Sequence, residues 1–291
     1  MMGSEPTLHL FLRPMTVYDI EKTNFITILR SGAFDDSKPI GMLSDFKWNK
    51  LIELAHIHDV VNIFAQGLEH YYYDDNLNLS ESHLGKIRTL LQETPTHTIP
   101  ELYDIDKVHL HSTALESKLR EIVGQEQKDT ERSFETLQLA AILFENVNHI
   151  LSGRSFLRGI IDLGRYLRQD GNRIDFVKLE RWLQQTKMTK MAQMQGNLLI
   201  EAFGFSVEEL PFVARDDHRA KEVLDGAIRT NVTRDGQKWE FHQNKSGFIV
   251  GSPQQALRSI RHSLRYRRYA RREAYSTIFR GILKGLSEIE E

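Results

Sequence analysis

Apolar residues recur at every third or fourth position along most of the chain, and this spacing is typical of helices with one buried face. The clearest stripe predicts a single long helix that Ser44 and Asp45 open and that continues to Phe64. Gly67 or the three tyrosines at 71–73 are expected to end it. The apolar positions of this stripe are Trp48, Leu51, Ile52, Leu54, Ala55, Val60, Val61, Ile63 and Phe64.

The same spacing predicts helices in both halves of the chain. The expected ranges are 19–32, 80–91, 115–123, 131–151, 156–167, 176–185, 188–203 and 216–229. A final helix is expected from Pro253 to about Leu286. Asp175 is placed to accept from the amides at a helix start, and Gly204 can take the left-handed conformation at a helix end. We therefore predict a mainly α protein, built as a multi-helical array.

Two segments depart from this spacing. Residues 102–111 alternate imperfectly between apolar and polar positions, and residues 238–250 lie in a stretch rich in glycine and turn residues. We expect at most a small β element in these two places. Composition marks no clear domain boundary, so a division into regions 1–130 and 131–291 and one continuous domain both stay open.

The composition, 40% hydrophobic and 27% charged, is that of an ordinary globular protein. The absence of cysteine excludes disulfides, thiolate metal sites and cysteine nucleophiles. The start of the chain does not have the pattern of a signal peptide, and no apolar run approaches the roughly 18 residues of a membrane span. We expect a cytoplasmic protein with no membrane partner.

The most distinctive motif begins at His149. Leu157 and Arg158 follow eight and nine residues later, and Asp162 lies four residues after the arginine. This spacing resembles a signature of an uncharacterised nucleotidyltransferase-like family. The opening helices and a later glycine turn also resemble that family, and the covered ranges are 20–70 and 130–285.

The resemblance implies a catalytic core between the two covered ranges: a mixed sheet with a Lys-Gly strand, an Asp-x-Asp strand and a third strand. Only about 60 residues separate those ranges here, which is short for such a core. Arg154 and Phe156 also stand where the family usually has glycines. The expectation is a non-catalytic relative, not an enzyme, that needs no cofactor and acts on an unidentified protein partner in an interaction or regulatory role.

Asp104 and Asp106 are the one candidate pair for nucleotidyl transfer. On a strand, residues i and i+2 point to the same side, so the two carboxylates could together hold Mg²⁺. No glycine lies between Gly85 and Gly124, however, so the backbone turn that would cradle a triphosphate is missing. We predict two exposed turn or strand-edge carboxylates, and a reduced but active Mg²⁺-dependent transferase is the alternative.

The histidines offer a weaker metal hypothesis. His109 and His111 could share a strand face and bind an ion with Asp106. Two histidines without a third placed ligand are weak evidence, and the prediction is that no metal site is present.

Arg158 and Asp162 have the spacing of an ion pair within one helix, which contributes about 0.3–0.5 kcal/mol when exposed. We predict a buried structural role for the pair, and the resemblance to the family adds His149 to it as a polar cluster that orients helices. By resemblance to the family, the alternative is a cluster that contacts a ligand.

Arginines crowd the stretch from 258 to 272, although the formal net charge of the whole chain is −2. The candidate anion-binding residues are Arg261, Arg265, Arg268 and Arg272. Tyr266 and Tyr269 lie among them and could stack on bases. Apolar positions that include Phe279 and Ile282 fit an ordinary amphipathic helix instead. Binding of nucleic acid or another anionic partner is therefore an alternative function.

Overall fold

The structure, a computed structural model, describes residues 17–93, 103–153, 155–213, 217, 219–235 and 260–287. These residues form α-helices and two short 3-10 helices, without any strand, so the mainly α prediction is confirmed. The α-helices are α1 Val17–Phe34, α2 Asp45–Ile57, α3 Val61–Glu69, α4 Glu81–Glu93, α5 Thr113–Glu126, α6 Phe134–Ser152, α7 Leu157–Asp170, α8 Phe176–Gln185, α9 Thr189–Phe203, α10 Ala220–Asp235 and α11 Arg271–Ser287. The 3-10 helices are Gly171–Arg173 and Val207–Glu209, and residues 260–265 are also helical.

The single long helix predicted through Phe64 is wrong, because the chain turns between α2 and α3. Asp59 has a φ of 53°, in the left-handed region where a helix cannot continue. His58 and Val60 on either side of it are buried. The apolar stripe crosses the turn without interruption because both helices bury a face in the same core, and periodicity alone cannot mark such a break.

Helices α1 and α3 touch at their backbones. A Cβ atom on Gly32 would lie 2.0 Å from the Ile63 carbonyl oxygen, and one on Gly67 would lie 2.0 Å from that of Ile28. Gly32 therefore permits this close approach and does not end the first helix, which runs on to Phe34. This contact fixes the N-terminal helices as one packed unit.

Helix α6 buries twelve of its 19 residues and contacts α7, α8 and α9. Two buried side-chain amides form hydrogen bonds between these helices. The Asn146 side-chain amide donates to the Gly159 carbonyl and to Gln195 Oε1, both at 3.0 Å, and Gln195 Nε2 donates to the Leu143 carbonyl at 3.0 Å. Buried amides with satisfied hydrogen bonds fix the positions of three helices relative to one another.

The two halves of the chain share one hydrophobic core, which extends from Phe25 to Ala274. Helix α1 contacts α7 and α9, and α10 contacts α2 and α9. Within the described ranges, no helix is long and apolar enough to cross a bilayer.

Two local signals at helix ends were predicted correctly. The Asp175 side chain accepts from the Lys178 amide at 2.9 Å, and Gly204 ends α9 with a φ of 68°. At most a small β element was expected over 102–111, and the described residues 103–112 form turns and irregular backbone instead of a strand. The segment 238–250 lies outside the described residues.

The predicted final helix is also not continuous over the described residues 260–287. Residues 260–265 are helical, residues 266–270 form a turn, and α11 begins at Arg271. The predicted start at Pro253 lies outside the described residues.

Candidate functional site

The Asp104-Ile105-Asp106 segment is a turn. Asp104 Oδ1 accepts from the Asp106 amide at 3.1 Å, and the Asp104 carbonyl accepts from the Lys107 amide at 2.9 Å. The Lys107 ammonium lies 3.4 Å from Asp104 Oδ2, and Asp106 is exposed. Asp104 therefore holds its own turn, and the two carboxylates do not share the strand face on which the transferase alternative depends.

His109 and His111 are engaged separately. His109 Nδ1 lies 3.0 Å from Glu116 Oε1, whereas His111 Nδ1 lies 3.2 Å from Glu273 Oε1. The structure does not bring the pair onto one face with Asp106. Across the described ranges, no three histidine or carboxylate side chains are arranged to hold a metal ion.

Arg158 and Asp162 do form the predicted pair, and Tyr103 joins them. Arg158 Nε donates to Asp162 Oδ2 at 2.9 Å, and the Tyr103 hydroxyl donates to the same oxygen at 3.0 Å. Arg158 also donates to the Asp59 carbonyl at 3.3 Å. We call Tyr103, Arg158 and Asp162 the polar cluster. It ties α7 to the segment before α5 and to the turn between α2 and α3.

Burial dominates the electrostatics of the polar cluster. The Asp162 side chain is only 1% exposed, and burial raises its pKa above the ordinary value against the opposing charge of Arg158. Burial and the neighbouring Asp162 charge raise the pKa of Tyr103. A carboxylate this deep cannot meet a substrate, so the geometry fits a structural cross-link.

His149 lies apart from this ion pair. Its Nδ1 is 3.1 Å from the Ser155 carbonyl and its Nε2 is 3.3 Å from Glu145 Oε1. The expected three-residue cluster is therefore divided, with His149 at the end of α6 and the ion pair on α7.

Sequence reasoning did not indicate the contact between His58 and Ser155. Ser155 Oγ lies 2.5 Å from His58 Nδ1, and His58 is completely buried. Burial lowers the pKa of His58 to about 4, so the ring is neutral at neutral pH. The two residues are 97 positions apart, which is why no spacing rule could pair them.

The arginines near the C-terminus divide into two groups. Arg268 pairs with Asp217 at 3.2 Å and lies over the Tyr269 ring at 4.4 Å. It is therefore already engaged within the protein and is not free to bind an anion as the sequence predicted. The remaining exposed arginines, which we call the basic surface, form no ion pair within the described part of the chain. They are Arg261, Arg265, Arg267, Arg271, Arg272 and Arg280.

The tyrosines expected to stack on bases are unsuitable. Tyr266 and Tyr269 are 3% and 8% exposed, and burial raises the pKa of Tyr266 to about 12. In the C-terminal segment from 260 to 282, the exposed aromatic residues are instead Tyr275 and Phe279, on α11. Phe279 and Ile282 were predicted to belong to the apolar face of an amphipathic helix, and they are 63% and 45% exposed.

The basic surface sits on a firmly attached segment. His262 Nε2 lies 2.7 Å from the Ile150 carbonyl, and Ser263 Oγ donates to the Leu151 carbonyl at 2.8 Å, so this segment satisfies the end of α6. Glu273 is buried and accepts from the Ser112 amide at 3.0 Å, at the start of α5. The arginines are therefore presented on a fixed part of the fold.

An open groove of about 660 Å³ lies between α2 and α4. Its lining mixes an apolar floor with charged and amide groups: Asn49, Ile52, Glu53, His56, Gly85, Lys86, Thr89 and Leu90. The sequence does not indicate this groove, because its walls come from separate helices.

No protein-family model, no curated protein and no solved structure matches this chain. The resemblance to nucleotidyltransferase-like proteins therefore stays a hypothesis that depends on the motif residues alone.

Proposed function

We propose that this protein is a non-catalytic binding protein that holds nucleic acid through the basic surface, in the cytoplasm where such ligands are present. The observation that carries the proposal is the set of exposed arginines without an acidic partner in the described part of the chain. Their guanidinium groups are left to solvent on a fixed scaffold.

The local charge supports an anionic ligand although the whole chain does not. Eight residues between 260 and 287 are arginine or lysine, and the one acidic residue, Glu273, is buried. The formal net charge of −2 for the full chain places the excess of negative charge elsewhere. Since charges are screened over about 8 Å in physiological salt, a phosphate near this surface responds mainly to the arginines.

The residue type also favours phosphate. Every permanently charged basic residue from 258 to 272 is an arginine. The planar guanidinium can donate two parallel hydrogen bonds to a phosphate and can stack on a base, whereas lysine offers only a compact point charge.

The non-catalytic part of the proposal rests on the turn at Asp104. Nucleotidyl transfer requires both carboxylates to converge on shared metal ions, and Asp104 is committed to stabilising its own turn. A descendant of a nucleotidyltransferase-like protein that kept an interaction role fits this arrangement. Calorimetry with ATP and Mg²⁺ tests it, and a binding heat that is abolished in Asp104→Asn would overturn this part.

The binding proposal is tested by fluorescence anisotropy with a labelled oligonucleotide over a series of salt concentrations. We expect affinity to fall as salt rises, because binding releases condensed counterions. The double variant Arg265→Ala with Arg272→Ala should weaken binding. It should also reduce the slope by about 0.7 for each phosphate of a single strand that the protein no longer neutralises.

The matched control is the double variant Arg88→Ala with Arg181→Ala, which removes two exposed arginines from α4 and α8. Equal weakening of binding in both double variants would mean that net charge alone matters. Binding that does not respond to salt would contradict the proposal.

A further inference from the structure

We propose that the basic surface selects single-stranded nucleic acid, because Tyr275 and Phe279 stack on unpaired bases while the adjacent arginines neutralise phosphates. This inference rests on the proposed function and names the form of nucleic acid that the same surface takes.

The exposed residues of α11 form one row. Arg271, Tyr275 and Phe279 are spaced by four residues, so their side chains follow one another along the same face of the helix. Ile282 extends the row three residues further. Tyr275, Phe279 and Ile282 are 45%, 63% and 45% exposed, whereas Glu273 and Ala274 are buried.

The buried side of α11 fixes which face is presented. Glu273 is held at the start of α5 by the Ser112 amide, and Ala274 is completely buried. The row of Arg271, Tyr275 and Phe279 is therefore turned outward by packing on the opposite side. A row of exposed aromatic rings leaves apolar surface in water, and a ligand with apolar faces and negative charge would cover the rings and pair with the arginines beside them.

The spacing of the row favours single strands. Four residues along a helix advance by about 6 Å, whereas successive bases in a duplex strand are about 3.4 Å apart and already stacked on each other. An aromatic ring cannot stack inside an intact duplex. The bases of a single strand can be splayed apart, and each then offers a face to an aromatic side chain.

An acidic membrane surface is the competing ligand for a helix with arginines and exposed apolar residues. Insertion between lipids needs a broad apolar face. In the described part of α11 the exposed apolar side chains form a single narrow row, and Arg271 lies within that row. This arrangement suits stacking between arginine and aromatic planes better than burial in hydrocarbon.

The test compares a single-stranded oligothymidylate with a duplex of the same length, both measured by anisotropy with the full chain. We expect the single strand to bind more tightly. Tyr275→Ala and Phe279→Ala should each weaken its binding by at least about fivefold, because each removes an aromatic ring on which a base stacks. Neither substitution removes charge, so the salt dependence should stay unchanged.

Two sets of controls define the effect. Tyr275→Phe keeps the ring and should bind as the native chain does. Phe46→Ala and Tyr73→Ala remove aromatic rings that are 76% and 94% exposed elsewhere, and they should leave binding unchanged. Circular dichroism and thermal melting establish that each variant is folded, which is expected because all of these side chains are largely exposed.

The outcomes separate this inference from the proposed function. If single strand and duplex bind equally and only the arginine variants abolish this binding, the single-strand inference is overturned. The proposed function then still stands. Absence of salt-dependent binding to either nucleic acid overturns both. Retention on vesicles of phosphatidylserine and phosphatidylcholine that depends on Phe279, without oligonucleotide binding, also overturns both and identifies a membrane surface.

Discussion

The polar cluster and the basic surface use the same residue type in opposite environments. The Arg158 side chain is 18% exposed and donates to a buried carboxylate and to a backbone carbonyl. Arg272 on the basic surface is exposed and has no ion-pair partner within the described ranges. The role of an arginine in this fold therefore depends on whether the protein supplies an acceptor. An arginine that donates to a protein acceptor supports stability, and an arginine without one is available to a ligand.

The polar cluster is buried and the basic surface is not, so the loss of an arginine has a different effect in each region. Desolvation raises the pKa of Asp162 and lowers that of Arg165 on the same helix. Burial therefore disfavours the charged form of both groups, and each depends on the opposite charges beside it to stay ionised. On the basic surface, water solvates each guanidinium and no compensation is needed. Loss of one arginine should therefore matter for stability in the first region and for binding in the second.

The largest expected effect is that of Arg158→Ala. The substitution leaves the Asp162 carboxylate buried, with the Tyr103 hydroxyl as its remaining donor in the polar cluster. We expect the free energy of unfolding in urea to fall by about 3 kcal/mol, since a buried charge loses its partner. A decrease below about 1 kcal/mol would show that water reaches the cluster and would remove the contrast between the two regions.

The next effect is a dependence of stability on pH that comes from His58. Above pH 6.5 the ring is neutral in the folded and unfolded states; between pH 6.5 and about 4 only the unfolded state takes up the proton. Stability is therefore fully present above pH 6.5 and falls as the pH drops towards 4, by up to about 3 kcal/mol.

His58→Gln should flatten this part of the stability curve measured by urea unfolding across pH. His56→Gln is the matched control, because His56 is exposed and lies two residues earlier, in the last turn of α2. A pH profile that is unchanged in His58→Gln would assign the dependence to other groups.

A smaller effect is expected for Tyr103→Phe. The phenyl ring keeps the packing, but Asp162 loses one hydrogen bond, so unfolding free energy should fall by about 1 kcal/mol. Because Tyr103 and Arg158 share one acceptor oxygen, the double variant should not show the simple sum of the two single effects. Strict additivity in a double-mutant cycle would mean that the three residues do not act as one cluster.

The smallest effect on stability is expected for Arg272→Ala. The exposed side chain makes no ion pair within the described ranges, so unfolding free energy should change by less than about 0.5 kcal/mol while oligonucleotide binding weakens. Thermal melting and anisotropy on the same preparation measure both quantities. A decrease in stability comparable to that of Arg158→Ala would abolish the distinction drawn between the two regions.

Some features of the candidate site were accessible from local spacing. Arg158 and Asp162 are four residues apart and pair as predicted. Tyr103 is 59 residues from Asp162, and Asp217 is 51 residues from Arg268, so neither contact follows from local periodicity. Arg268 was a candidate for anion binding because the sequence shows the arginine and not its distant acceptor.

The amino-acid sequence by itself determined the helical class of this protein and several helix ends. Periodic apolar positions and the residues Asp175 and Gly204 act through neighbours within one turn, and such local preferences can be read directly. Only the tertiary structure decided that the chain turns at Asp59, that Tyr266 is buried and that Phe279 is exposed. The physical reason is that burial and pairing depend on which helices meet, and that is set by contacts between residues far apart in the chain.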